Sequence, residues 1–385
     1  MKKRAALLAH PASIDSRFVH RIEWARKRYD LVKLFGPEHG IHGTAQDMDS
    51  VESSADPLTG LPVKSLYGAT FDSLKPTQED LRGIDVFICD LQDIGSRYYT
   101  FIYTMAFCMK ACAESGIKMI VIDRPNPING LHVEGPLLQK GFESFVGLYP
   151  LPVRHGMTIG ELALYFNQEE KIGCELEIVR MKKWRRKMFF DETGLPWVPP
   201  SPNMPTPDTA LVYPGMCLLE ATQMSEGRGT TRPFEFFGAP YIQAEKLAVS
   251  LNKLKLPGVF FRPLHFRPNF QKWAGQNCQG AQIHVTDRKK FRPYLMGVSV
   301  LKTVMEMYPD DFQWRDKPYE FVSDIPAIDL LTGSDEFRKG ITKTRAKGPL
   351  RGEAPPALPV EGGDASPLVI DEMEFLKKRK KYLLY

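Results

Sequence analysis

Long hydrophobic runs are missing from these 385 residues. After the opening MKKR the first apolar run is only AALLA, ended by His10 and Pro11, too short for a signal-peptide core and far too short to span a bilayer. As it stands the chain is expected in the cytoplasm, with export of a longer precursor as the alternative. Cysteine is sparse too. The six, at 89, 108, 112, 174, 217 and 278, sit in apolar surroundings without a C-x-x-C pair, which argues against a zinc site or disulfide framework and suits a reducing compartment. A strong charge of one sign is also lacking, since the net charge is +5. The basic runs WRRK at 184–187 and KKRKK at 377–381 come with no nucleic-acid motif and are expected to be solvated element ends. Neither nucleic acid nor a membrane is an expected partner.

Signature motifs are absent in the same way. No G-x-G-x-x-G follows a strand and there is no G-x-x-x-x-G-K-[ST], so dinucleotide and P-loop chemistry lose their phosphate cradles. GRGTTR at 227–232 is a fragment of the first pattern but follows no clear strand. G-x-S-x-G and H-E-x-x-H are missing as well. No cofactor is expected, and no internal repeat is visible.

What is present is an ordinary globular composition, 43% hydrophobic and 25% charged, in a chain longer than one core usually serves. Apolar runs AALLA, DLVKLF, VFICDL and IKMIVID alternate with helical patterns, the first behind a possible Asp15 cap and the second, YTFIYTMAFCMKACAESG, closed by Gly116. Such β/α alternation predicts a Rossmann-like parallel sheet with helices on both faces. TIGELALYFNQE at 158–169 and CELEIVRM at 174–181 add a helix and a strand. The proline-rich stretch 195–215 is expected to be extended or turn structure walling a cleft. Beyond about 231 a helix at 241–253, strands at 258–265 and 280–286 and a helix at 290–307 predict a smaller α+β domain. The expected division is 1–230 and 231–385, with a Pro/Gly-rich loop at 351–367.

In open α/β sheets, ligands bind beyond the carboxyl ends of the strands. Here those exits read HPASID, GPEHGIHG, DLQDIGSRYYT and DRPNPINGLHVEGP. Together they offer His10, Asp15, Glu38, His39, Asp90, Gln92, Asp93, Arg97, Tyr98, Asp123, Arg124 and Asn126, enough polar groups for a binding or catalytic cleft. SEGRGTTRPFEFFGAP at 225–240 contributes Glu226, Arg228 and Arg232 between glycines and could close it. His39 and His42 could hold a metal, though Gly40 between them disfavours the continuous helix such a pair needs; a turn histidine bonded to a neighbouring carboxylate is the plainer reading, and no metal is expected.

FGPEHGIHG, DLQDIGSRYYTFIYTM, DRPNPINGLHVEGP, LPVRHGMTIGELA, LPWVPPSPNMPTPDTALVYPG, SEGRGTTRPFEFFGAP and the terminal YLLY closely resemble the exo-β-N-acetylmuramidases, a bacterial glycosidase family. The resemblance runs in order through most of residues 5–320. It implies release of N-acetylmuramic acid from the non-reducing end of peptidoglycan fragments, on a Rossmann-like domain with a smaller auxiliary domain and without a nucleotide or obligatory metal. The family's catalytic glutamate falls in its G-P-E-H-G motif, which matches Glu38. His10 stands where relatives often carry Asn.

Breaking a glycosidic bond needs a proton for the leaving oxygen and a group that stabilises positive charge at the anomeric carbon. Glu38 is expected to be the general acid/base, with His39 and Asp90 completing the catalytic set. Candidates for the second carboxyl are Asp90, Asp93, Asp123 and Glu226, and retention, inversion and participation of the 2-acetamido group all stay open. The lactyl carboxylate of muramic acid calls for a fixed cation from Arg97, Arg124, Arg228 or Arg232, and Tyr98, Tyr99 and Trp197 could stack on sugars. The remaining expected substrate contacts are His10, Gln92, Asp123, Asn126 and Glu226. The alternatives are a metal-dependent hydrolase using His39, His42 and strand-end aspartates, and a muropeptide-binding protein without turnover. The oligomeric state is not legible.

Overall fold

The computed structural model describes residues 1–346 and 367–385; the expected loop at 351–367 lies, but for its last residue, outside the described residues. The first half builds a seven-stranded sheet from β1 (Arg4–Ala9), β2 (Asp30–Gly36), β3 (Ser54–Ala55), β4 (Pro62–Ser65), β5 (Val86–Asp90), β6 (Lys118–Ile122) and β7 (Leu176–Val179), in the order β3-β4-β2-β1-β5-β6-β7. Every neighbouring pair is parallel except β3 with β4. The two-residue period of the strands divides the core between the two faces. Ala6, Leu8, Phe87, Cys89, Met119 and Val121 join one cluster, and Ala5, Leu7, Ala9, Ile88, Ile120 and Ile122 the other, which is why these strands read as unbroken apolar runs.

Helices α1 (Arg21–Arg28), α2 (Phe101–Glu114) and α3 (Ile159–Glu169) accompany the sheet. α1 starts later than the sequence pattern predicts. Asp15 does not cap it; its carboxylate instead accepts from the backbone N–H groups of Arg17 and Val19, and His20 takes the cap. α2 is buried from Phe101 through Met109, and each large side chain so enclosed contributes about 1.5–3 kcal/mol. Thr158 and Glu161 close a capping box on α3.

The second half holds α4 (Pro207–Met216), β8 (Phe236–Ala239), α5 (Ala244–Lys253), β9 (Val259–Phe266), β10 (Cys278–Val285), α6 (Pro293–Met307), α7 (Ala327–Thr332), α8 (Glu336–Ala346) and α9 (Pro367–Arg379). β8-β10-β9 form a small antiparallel sheet. α4 corrects the expectation of extended structure through 195–215. Pro207 takes the first helical turn, where its missing N–H costs nothing, Thr206 caps it, and Pro214 lies inside just before the helix tightens. α4 presses on α6 so closely that a Cβ on Gly215 would come within 1.9 Å of the Pro293 carbonyl, so packing overrides propensity here.

The tail after α9 returns to the first sheet. Tyr385 donates its hydroxyl to Asp123 at 2.8 Å and Leu384 donates N–H to Glu161. Arg379 and Arg186, from the two basic runs, converge on the carbonyls of Gly130 and Gly156. Those two arginines are structural cross-links, whereas Arg185, Lys187, Lys377, Lys380 and Lys381 are exposed, as expected of solvated ends. Among the described residues no helix is long and apolar enough to cross a membrane.

Candidate active site

The order in which successive strands are added reverses at β1, since β2 lies on one side of it and β5 on the other, all three parallel. A crevice therefore opens at the carboxyl ends of these strands. The corner after β2 is set by sterics. A Cβ on Gly36 would fall 2.6 Å from the Ile41 nitrogen, so only glycine lets the chain fold back so sharply. The next four residues make a turn in which Gly40 N–H donates to the Pro37 carbonyl at 2.9 Å. His39 occupies it at φ 69, a conformation that costs a non-glycine residue about 1–3 kcal/mol. It is held there by its ring Nδ1, 2.9 Å from the Ala45 carbonyl oxygen.

This corner points Glu38 into a cleft of about 470 Å³, counted with its open mouth. Only 6% of Glu38 is exposed. Its Oε2 accepts from the Thr100 hydroxyl at 2.6 Å. Thr100 is the N-cap of α2 and makes no side-chain cap, because its hydroxyl serves Glu38 instead. No cation pairs with Glu38 among the described ion pairs.

His39, Tyr98, Tyr99 and Arg228 face the same cleft. Arg228 is its fixed cation, and three carboxylates already share it: Glu220 at 2.8 Å, Glu226 at 2.9 Å and Asp47 at 3.2 Å. Lys272 pairs with Glu226 from the other side at 2.9 Å. Burial opposes ionisation of Glu226, but Lys272 and Arg228 outweigh it and hold its carboxyl down to about 2.

Several expected site residues lie elsewhere. Asp90 is fully buried between Arg21, at 2.5 Å, and Arg124. Burial alone would raise it, yet the two guanidinium groups keep its carboxyl below the usual range. His10 accepts the Gln92 N–H at 2.9 Å and faces the Pro200 carbonyl; burial, followed by the charge of Arg124, lowers it to about 3. Gln92 bonds to carbonyls of Asp93 and Pro125. Asp93 accepts the Gly95 N–H and lies 3.4 Å from His155. Asp123 receives the Gly160 N–H, Thr158 and Tyr385, and burial pushes it up to about 6. Asn126 bonds the Met157 carbonyl, Arg97 the carbonyls of Pro136, Leu151 and Leu331, and Arg232 pairs with Glu235. Trp197 packs on Phe190 and donates to the Met204 carbonyl. These polar strand exits satisfy one another and brace the corner. His39 and His42 do not share a centre, His42 lying 3.6 Å from Asp56; among the described residues no group of three or more His, Cys, Asp or Glu is placed for a metal.

The structure adds cleft residues that sequence reasoning missed: Asp47, Thr100, Glu220, Tyr319 and Glu320. Thr100 lay at the edge of a recognised motif, whereas Glu320, in the segment PYEF, carried no pattern to single it out.

Comparison with known proteins places the chain in a family. Family models described as the N-terminal and C-terminal parts of exo-β-N-acetylmuramidase NamZ match residues 5–208 and 211–358. The chain belongs to the exo-β-N-acetylmuramidase NamZ family. It is 46% identical over its whole length to the peptidoglycan β-N-acetylmuramidase NamZ of Bacillus subtilis strain 168, covering 87% of that protein. Two solved structures of DUF1343 family proteins from Bacteroides fragilis NCTC 9343 superpose over the full chain and 94% of each. One has TM-score 0.85 at 37% identity, the other 0.73 at 28%.

Proposed function

We propose that this chain is an exo-acting glycoside hydrolase that releases N-acetylmuramic acid from the non-reducing end of peptidoglycan fragments, with Glu38 as its general acid/base. Family membership supports the activity. The observation that carries the residue assignment is the state of Glu38: a buried carboxyl at the switch-point crevice, given one hydroxyl donor and no cation. A structural carboxylate in such a place would be paired, as Asp90 is. An unpaired one is free to give a proton to a leaving oxygen and to take one back from water.

Arg228 supports the preference for muramic acid. Of its partners Asp47 is the most exposed, so the lactyl carboxylate of the substrate can take the place of Asp47 on the guanidinium without uncovering Glu220 or Glu226. The test compares a chromogenic N-acetylmuramide with the matching N-acetylglucosaminide. Release from the first alone is expected; equal release from both would remove the argument for a lactyl-binding cation.

A further inference from the structure

We propose that Glu320 is the second catalytic carboxyl and that it and Glu38 hold a single proton between them. The inference rests on the glycosidase reading above. Each carboxyl expected from sequence for this role is committed elsewhere: Asp90 to two arginines, Asp93 to Gly95 and His155, Asp123 to the start of α3, Glu226 to Arg228 and Lys272. Of the other acids in the cleft, Asp47 and Glu220 pair with Arg228. Glu320 lines the cleft with Glu38 and is 5% exposed. Its hydrogen-bond partner is the Tyr67 hydroxyl, which donates to Oε2 at 3.1 Å.

The backbone under Glu320 points the same way. Tyr319 and Val322 exchange two hydrogen bonds of 2.9 Å around a two-residue turn. Its central residues, Glu320 and Phe321, both have positive φ, 46 and 69. Asn-Gly ordinarily fills such a turn. A Glu-Phe pair there is strained, and strain retained beside a cleft marks placement of a side chain for use.

Two carboxyls facing one enclosed space do not both ionise readily. Around Glu320 stand Glu38, His39 and Asp47 from the loop after β2, Tyr67 after β4, and Glu220 and Arg228 after α4. Burial, and next the charges of Glu38 and Glu220, push its carboxyl well above the usual range, against the pull of the Tyr67 hydroxyl. The pair therefore rests with one proton. As the C1–O bond breaks, its electron pair leaves with the oxygen, which takes that proton, held at rest by Glu320, by way of Glu38. The two negative charges left behind, costly in the resting cleft, are then stabilised by the positive charge at C1, a gain confined to the transition state. Water supplies its oxygen to C1 and returns a proton to the pair.

The experiment is the pH profile of kcat/KM on a muramic-acid-terminated disaccharide for wild type, Glu320→Gln and Tyr67→Phe, with thermal melts as a folding control. Wild type should give a bell. Glu320→Gln should lose at least ~100-fold in kcat with KM little changed, and its acid limb should vanish. Tyr67→Phe should move the basic limb to higher pH, and it decides the matter if Glu320→Gln does not fold. Glu320→Gln within threefold of an active wild type and with an unchanged profile, or an unmoved limb in Tyr67→Phe, overturns the proposal. Wild type inactive on the disaccharide would instead overturn the glycosidase reading.

Discussion

Replacing Asp90 by asparagine keeps the shape of a fully buried side chain and removes its charge from between Arg21 and Arg124. Both guanidinium groups are themselves largely buried, with side-chain exposures of 14% and 8%, so the variant leaves two desolvated cations without their anion. Breaking a buried pair from one side costs about 3–5 kcal/mol. At ~2.1 cal/mol/K of unfolding entropy per residue, that lowers the melting temperature by roughly 4–6 °C if the chain melts as one unit, and by about 10 °C if the sheet-bearing half melts alone. Asp90 is depressed in the folded state, so its stabilisation is full above the ordinary carboxylate range and lost as pH falls through the folded value. The gap between wild type and variant should therefore narrow in acid. The assay is a pair of melts at neutral and acid pH beside kcat at 25 °C corrected for the folded fraction. Lower stability with kcat within a few-fold is the expected result. An unshifted melt with kcat down ~100-fold would show that Asp90 takes part in the chemistry and refute its assignment to the scaffold.

Tyr385→Phe should cost about 1–2 kcal/mol by removing a donor to the buried Asp123 carboxylate. Asp123 is raised to about 6 when folded, so its contribution to stability falls as pH climbs from the ordinary carboxylate range to about 6, and in the variant, which loses a donor that holds Asp123 down, the fall should continue to higher pH; curves that level off at the same pH would contradict this. Gly36→Ala forces a Cβ against the Ile41 nitrogen and should lower kcat ~10- to 100-fold by displacing Glu38, since small misplacements are costly; unchanged kinetics would show that the corner does not set the geometry. Arg228→Lys keeps the charge but loses the fork, so KM for the muramide should rise roughly tenfold with kcat less affected. An unaltered KM would remove Arg228 from substrate binding.

The sheet was legible because strands buried on both faces are unbroken apolar runs, and β1, β2, β5 and β6 lie within a residue or two of where those runs stand. α4 was not, because proline content argues against a helix while the contact between Gly215 and α6 that rewards one is invisible in a linear pattern. Glu38 announced itself through glycines and a proline that only a sharp corner requires. Its polar companions at the other strand ends misled, since Asp90, Gln92, Asp123 and Asn126 look alike in sequence whether they meet a ligand or one another. Glu320 reaches the cleft from the far end of the chain through a turn whose residues do not advertise it, and only the fold brings it to Glu38.

Glu38→Gln on a muramic-acid-terminated disaccharide tests the central claim most directly. The account predicts a wild-type melt and a loss of at least ~100-fold in kcat, with less loss on an aryl muramide whose leaving group needs no proton. Turnover within a few-fold of wild type on both substrates would contradict it.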